Sequence, residues 1–316
     1  MNIPIGWIIA MGCALGGYAL HGGNIMVLWQ PTEVLTIVGA AVGTMIASNS
    51  MINLKKTFAA LGSAFKTKSA VKQMHLDLLC LMFEILQKIK RDGLMSLEGD
   101  IEEPEASPLF EKYPSVTKDH HLVDFITDYL RMMLGGSLDV IQIESLMEQE
   151  LDVHHQEGHI PVASVTNVGD GLPAFGIVAA VMGVVHTMGS IGLPPAELGK
   201  LIGAALVGTF LGILLAYAFV SPVAKVLEQN LEADTRSYMA VKAILIASLN
   251  NFPPAAAVEF GRKVLFTYQR PTFAELDEGT KAVKSISLLM ICAKSLYVIL
   301  YSQCSVPIRS MKVSIY

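Results

Sequence analysis

The stretch Pro173-Ala174-Phe175-Gly176-Ile177-Val178-Ala179-Ala180-Val181-Met182-Gly183-Val184-Val185-His186 decides the fold class. It contains no Asp, Glu, Lys or Arg and lies within an apolar run over residues 172–188, just after a polar, acid-rich region. A helix crosses the roughly 30 Å hydrocarbon core of a bilayer with about 20 apolar residues. Backbone N–H and C=O groups find no water there, so a helix, which satisfies them internally, is the predicted structure.

Working outward, residues 3–20, 34–52 and 198–220 have similar length and apolarity, so with 172–188 they predict four membrane-spanning helices. Composition agrees: 52% of residues are hydrophobic, 16% are charged and the mean hydropathy is +0.49, too apolar for a chain whose whole surface meets water. No Lys or Arg occurs in residues 1–54 or 161–199, whereas charges crowd into 55–158 and 225–284. The predicted class is an all-α polytopic membrane protein with four transmembrane helices and a large helical cytoplasmic region. It divides into a first hairpin (1–54), a cytoplasmic insert (55–168), a second hairpin (169–221), C-terminal helices (222–284) and an atypical tail (285–316). The first span lacks the basic n-region of a signal peptide and is followed closely by the second, so it reads as a retained helix.

The connectors 21–31 and 189–197 hold no basic residue, whereas Lys55, Lys56, Lys66, Lys68 and Lys72 follow the second span and Lys225 the fourth. By the positive-inside rule the insert and the C-terminal helices are cytoplasmic. Acids outnumber bases in the insert, which accounts for the net charge of −5 and excludes nucleic acid as a partner. Cys13, Cys80, Cys292 and Cys304 show no metal or disulfide spacing. His155 and His159 are four apart, but the order around Glu157 is not that of a zinc protease, and no metal site is predicted. Without a nucleophile triad or phosphate loop, no enzyme and no cofactor is expected.

Within the insert, Leu76, Leu79, Cys80, Phe83 and Leu86 recur at helical spacing and predict an amphipathic helix ending near Asp92-Gly93. A loop with Pro104, Pro108 and Pro114 is expected next, then helices over 122–134 and 140–155, where Gly158 weakens the second. Beyond the fourth span, helices are expected over 223–250 and on to about Lys263.

Glu33 and Asp170 read as lying at span ends, which leaves Thr44, Thr209, Tyr217 and His186 as the deeper polar residues. Ion carriers hold an ionisable group at depth, so the carboxylate for any ion transport is expected on another subunit. His186 reads as a hydrogen-bonded packing residue. Small-residue lines, Ala204-Gly208-Gly212, Gly12 with Gly16 and Gly39 with Gly43, fit close helix packing within the chain and also oligomerisation.

Five segments carry a specific resemblance: Val168-Gly169-Asp170-Gly171-Leu172-Pro173-Ala174-Phe175-Gly176; Met182-Gly183-Val184-Val185-His186; Pro195-Ala196-Glu197-Leu198-Gly199; Val207-Gly208-Thr209-Phe210-Leu211-Gly212-Ile213-Leu214-Leu215-Ala216-Tyr217; and Ala257-Val258-Glu259-Phe260-Gly261-Arg262-Lys263. In order, over about residues 1–284, the chain resembles the MotA family of flagellar stator proteins, in the MotA/TolQ/ExbB proton channel group. The resemblance implies a multi-pass protein of the bacterial inner membrane, a pentamer around a MotB dimer whose aspartate carries the proton. It also implies that the cytoplasmic region drives the rotor protein FliG.

The resemblance assigns residue roles beside plainer ones. Pro173 and Pro222 read as helix-start prolines at the cytoplasmic ends of the third and fourth spans, and the family pattern adds a role in coupling protonation to movement. Thr209 could bond the preceding turn or line the ion path, and Tyr217 could anchor at the interface or face the MotB helix. Lys90, Arg91 and Glu98 read as a solvated helix end and loop. The family pattern makes Lys90 and Glu98 rotor contacts, with Lys90 where Arg is usual and Arg91 beside it to compensate. Sodium-driven relatives tend to carry Thr where this chain has Ala180, so protons are the expected ion. The tail departs from the family and is expected to be unstructured or weakly membrane-associated, or to follow an altered reading frame; a fifth span would be interrupted by Lys294. The alternative is an ExbB/TolQ-type energiser of a periplasm-spanning partner, against which the extra hairpin and the Lys90 to Glu98 region argue.

Overall fold

A computed structural model of the chain describes residues 2–65, 71–136 and 138–284, so the expectation for the tail lies outside the described residues. The first half holds α1 (Asn2–Leu20), α2 (Ile25–Leu28), α3 (Pro31–Ser48), α4 (Met51–Ala64) and α5 (Val71–Asp92). A 3-10 turn (Leu94–Leu97) leads to α6 (Glu98–Glu102), α7 (Pro108–Glu111), α8 (Pro114–Thr117) and α9 (His120–Gly135). Then come α10 (Val140–Met188), α11 (Pro195–Leu214), a π-helical segment (Leu215–Val220), α12 (Ser221–Leu249), α13 (Pro254–Val264) and α14 over 273–284. No strand occurs among the described residues.

Among the described residues two compact units emerge, one within 2–65 and 147–235, the other within 71–136, 138–146 and 236–284. The first contains the spans. Four helical stretches, Ile3–Leu20, Ile25–Ser48, Val140–Met188 and Pro195–Leu249, are long and apolar enough to cross a membrane. Only 6% to 28% of each apolar window is buried, so most of that surface needs lipid or another subunit to cover it. What is buried is specific: Ile37 and Ala41 of α3 meet Leu172 and Ala179 of α10 and Ala216 of the π segment. A second cluster joins Ala64 to Val162, Val165, Val223, Ala224 and Leu227. Trp7 of α1 packs beside it, with ring centroids 5.3 Å from Phe219 and 5.7 Å from Phe65.

Local chemistry moved two predicted boundaries. The second span ends at Ser48 rather than 52 because Asn49 leaves the helix in an extended conformation and its amide donates to the Met45 carbonyl at 2.8 Å. Ser50 then caps α4 by accepting the Asn53 N–H at 3.3 Å. The third insert helix and the third span are one helix of 49 residues that passes through Gly158 and Pro161. Glycine costs a helix only about 1 kcal/mol relative to alanine. Here Gly158 lets Leu231 approach until a Cβ would sit 2.2 Å from Leu231 Cδ1. Lys56 pairs with Glu157 at 2.9 Å and the Ser164 hydroxyl donates to Asn49 Oδ1 at 2.7 Å, which holds α10 on both sides of Pro161.

In the second unit α5 is central. Leu79, Cys80, Phe83 and Leu86 are buried as their spacing predicts, and Leu76 is half-buried. Leu78, Leu81, Met82 and Ile85 are buried too, because α8 and α13 also pack on this helix. The expected proline loop is instead three short helices; Pro108 and Pro114 occupy first-turn positions and the Ser107 hydroxyl accepts the Leu109 N–H at 3.1 Å. The Arg262 guanidinium forks onto Glu259 at 2.6 and 2.7 Å and donates to the Pro271 carbonyl at 2.9 Å. At Gly261 a Cβ would fall 2.5 Å from Ile244 Cγ1, so α13 lies against the end of α12.

Burial, with Asp77 and Glu84 nearby, pushes the Cys80 thiol up to about 11. Its burial and its resistance to ionisation both protect it, so iodoacetamide leaves folded Cys80 unmodified while urea-unfolded protein reacts. Peptide mass spectrometry reads the difference, and equal labelling in both states would contradict the packing.

Candidate functional site

The spans meet most closely along an antiparallel seam between α10 and α11. A Cβ placed on Gly176 would lie 2.9 Å from the Gly208 carbonyl oxygen and 3.1 Å from Gly212 Cα. One placed on Gly212 would lie 2.7 Å from the Leu172 carbonyl oxygen and 2.8 Å from Gly176 Cα. These neighbours are backbone, which does not swing aside, so the approach requires glycine at each point. Farther along, Gly208 faces Ala180 N and Gly183 faces Ala205. Of the small-residue lines, Gly208 and Gly212 are thus used within the chain, whereas Gly12, Gly16, Gly39 and Gly43 meet nothing within 4 Å.

Both predicted prolines border this seam, in different ways. Pro173 does not start a helix; it lies inside α10, which continues through it because the seam and the α3 contacts fix both flanks. Its missing N–H leaves the Gly169 carbonyl without a helical donor. Gly169 packs against Val220 and Ser221, the two residues before Pro222. Pro222 does not start a separate helix either: it is the second residue of α12, which continues unbroken from α11 through the π-helical Leu215–Val220 as one stretch over Pro195–Leu249. Wide turns of this kind recur at functional sites, and the sequence pattern did not disclose this one.

Thr36, Thr44, Thr166 and Thr187 each donate their hydroxyl to a carbonyl of the preceding turn, at 3.0, 2.9, 2.9 and 2.8 Å. Thr209, a half-buried residue, makes no such bond, and its hydroxyl has no partner among the described residues. Ala180 lies level with it, since Ala180 N is 3.2 Å from a Cβ placed on Gly208. Tyr217 sits in the π segment, 68% exposed. His186, expected to be a hydrogen-bonded packing residue, is exposed and its ring has no hydrogen bond among the described residues.

Glu33 departs furthest from expectation. Its position continues the buried stripe Ile37, Ala41 and Met45 at four-residue spacing, which turns the side chain inward. Its Oε2 is buried without a hydrogen-bond partner, 2.9 Å from a Cβ placed on Gly208, and its Oε1 is 3.8 Å from one placed on Gly183. The carboxyl is therefore level with Ala180 and Gly183 of α10, not at the edge of a span. Charge type alone did not show this; the four-residue spacing to Ile37 was the available signal.

Lys90, Arg91 and Glu98 belong to the other unit. Lys90 and Arg91 are exposed in the last turn of α5 and Glu98, also exposed, opens α6. Gly93, at φ 84°, turns the chain between them. Lys88 pairs with Asp100 at 2.5 Å and the Ser107 hydroxyl donates to Asp100 at 2.6 Å, which clamps the turn just inside these residues. Arg91 is engaged with Asp92 at 2.6 Å, whereas Lys90 and Glu98 have no ion pair among the described residues. That leaves their charges open to a partner.

Four apolar helical stretches, a glycine seam bordered by prolines and a separate charged turn define a polytopic membrane protein. Residues 4–93 match the model of the motility protein A N-terminal region, and residues 118–239 that of the MotA/TolQ/ExbB proton channel family. Motility protein A of Escherichia coli is 46% identical over 90% of this chain and 97% of its own length; that of Salmonella typhimurium is 45% identical over the same shares. Among solved structures, C. jejuni MotAB aligns with a TM-score of 0.68 at 19% identity, covering 84% of this chain and 96% of that one. The Bacillus subtilis flagellar MotAB stator complex aligns at 0.65 and 23%, covering 84% and 94%. The chain belongs to the motility protein A family.

Proposed function

We propose that this flagellar stator subunit conducts protons together with MotB in the bacterial inner membrane, and that its insert transmits the resulting movement to FliG. The observation that carries the proposal is the seam: Thr209 keeps an unbonded hydroxyl level with Ala180, and Pro173 and Pro222 both border the same helix pair. A MotB aspartate beside Thr209 and Ala180 takes up and releases the proton. Ala180 offers no side-chain oxygen to a sodium ion, so the transported ion is the proton and no metal or cofactor takes part. The interrupted backbone at Pro173 and the π turn before Pro222 let the helices respond to that change of charge. The termini of the core are cytoplasmic, and nothing in the site suits enzymatic chemistry.

The exposed small-residue lines of α1 and α3 and the uncovered apolar faces support a ring of copies, a pentamer, around the MotB pair in lipid. Lys90 and Glu98 contact FliG charges, while Arg91, held by Asp92, adds a secondary contact. Exposed ion pairs are worth about 0–1 kcal/mol each, which suits a contact made and broken at every step. Lys90→Glu is expected to cut rotation speed severalfold without changing membrane level, and the compensating charge reversal on FliG restores it. Tethered-cell rotation measures this; full speed in the single variant would contradict the rotor contact.

A further inference from the structure

Glu33 is a half-buried ionisable group, with one carboxyl oxygen shut away, that the proposed mechanism leaves unused. An acid in the first turn of a helix ordinarily caps it by accepting a backbone N–H. Glu33 does not: neither carboxyl oxygen has a hydrogen bond among the described residues, and Oε2 is shut away from solvent. Its surroundings are Gly183 of α10 and Gly208 of α11, with Ala180 and Ala205 lining the same gaps. On the elements packed against it, the titratable side chains toward the connector end are His186 on α10 and Glu197 and Lys200 on α11, all exposed and none bonded to it. A carboxylate oxygen shut away from water with neither donor nor cation is costly, and inside a span such groups mark ion routes.

We infer that Glu33 is a proton-binding group of this chain's own, set on the ion path on the connector side of the partner's carboxylate. The inference rests on the proton-conducting role proposed above and adds a residue to it. Glu33 takes a proton from hydronium, leaving water and a neutral carboxyl that the apolar gap accommodates. It then gives that proton up to a base farther along the path and returns to carboxylate. Gly208 and Gly183 are part of the device, since a side chain at either would fill the space beside the carboxyl. The residue as a whole is only half-buried, so the group is open to proton exchange from one side.

The test uses the full chain with its MotB partner in proteoliposomes, following proton flux with a pH-sensitive dye, alongside infrared spectra across a pH series. Glu33→Gln keeps the shape and removes the titration. It is expected to lower flux about tenfold or more at unchanged protein level, and Glu33→Asp to restore part of it. The wild type shows a protonated-carboxyl C=O band that falls as pH rises, absent in Glu33→Gln. Flux in Glu33→Gln equal to wild type, or a spectrum identical to wild type, would overturn the inference. If the wild-type pair conducts no protons at all, the stator role itself fails, and the infrared band alone decides whether Glu33 binds a proton.

Discussion

Gly212→Val abolishes motility and stator assembly. The new side chain has nowhere to go, because the Leu172 carbonyl oxygen and Gly176 Cα already lie within 2.7 and 2.8 Å of where its Cβ must sit. Overpacking relieved by side-chain motion costs about 1–3 kcal/mol. Here backbone would have to move against backbone, so α10 and α11 must part and the Ile37, Ala41, Leu172 and Ala179 cluster must open with them. Blue-native electrophoresis with MotB is expected to lose the assembled band, and cells depending on this variant not to swim. Gly203→Val provides the control: nothing lies within 4 Å of that position in the chain, so the chain itself still folds. Normal swimming by the Gly212 variant would contradict the close seam.

Pro173→Ala is expected to give a chain that is as stable as the wild type or more so, and that loses most of its torque. Alanine supplies the N–H that the Gly169 carbonyl lacks, and it removes a helix-interior proline whose cost is about 3 kcal/mol. Gly169 lies against Val220 and Ser221, so the mended ladder stiffens the point at which α10 meets the approach to Pro222. Thermal unfolding in detergent should therefore move upward or stay level while torque falls by about tenfold or more. A variant that loses torque because it unfolds, with a lower melting temperature, would contradict a coupling role for Pro173.

The opposed signs separate this outcome from ordinary damage. Most substitutions at buried sites lower stability and activity together. A site that stores a strained or interrupted backbone for movement does the reverse, since repair of the local fault removes the freedom the mechanism uses.

The spans were legible because bilayer length and charge segregation are one-dimensional signals. Residues 172–188 needed no knowledge of their neighbours. The Leu79, Cys80, Phe83 and Leu86 face was legible for the same reason, although the extra burial of Leu78, Leu81 and Ile85 was not, because it depends on how many helices pack around α5. Gly158 misled, since helix propensity argues for a weakened end where the tertiary contacts of Leu231, Lys56 and Asn49 hold α10 continuous. The π segment left no trace in composition: Leu215–Val220 reads as plain apolar helix, and its widening belongs to the approach to Pro222.

In the site, Ala180 and Thr209 were singled out by resemblance, and the seam brings them level; the same resemblance chose Pro173 and Pro222, which border it. Glu33 was set aside because it stands near the start of a span when positions are counted along the chain. Depth is set by which neighbours the side chain meets, and those are Gly183 and Gly208.

The most direct test is rotation of tethered cells that lack their own stator proteins and carry this chain with or without its MotB partner. Rotation is followed while a protonophore collapses the proton gradient and a sodium gradient is maintained. A proton-driven stator subunit predicts rotation only when MotB is present, ending when the proton gradient is lost. Rotation without MotB, or rotation that persists on sodium alone, would contradict it.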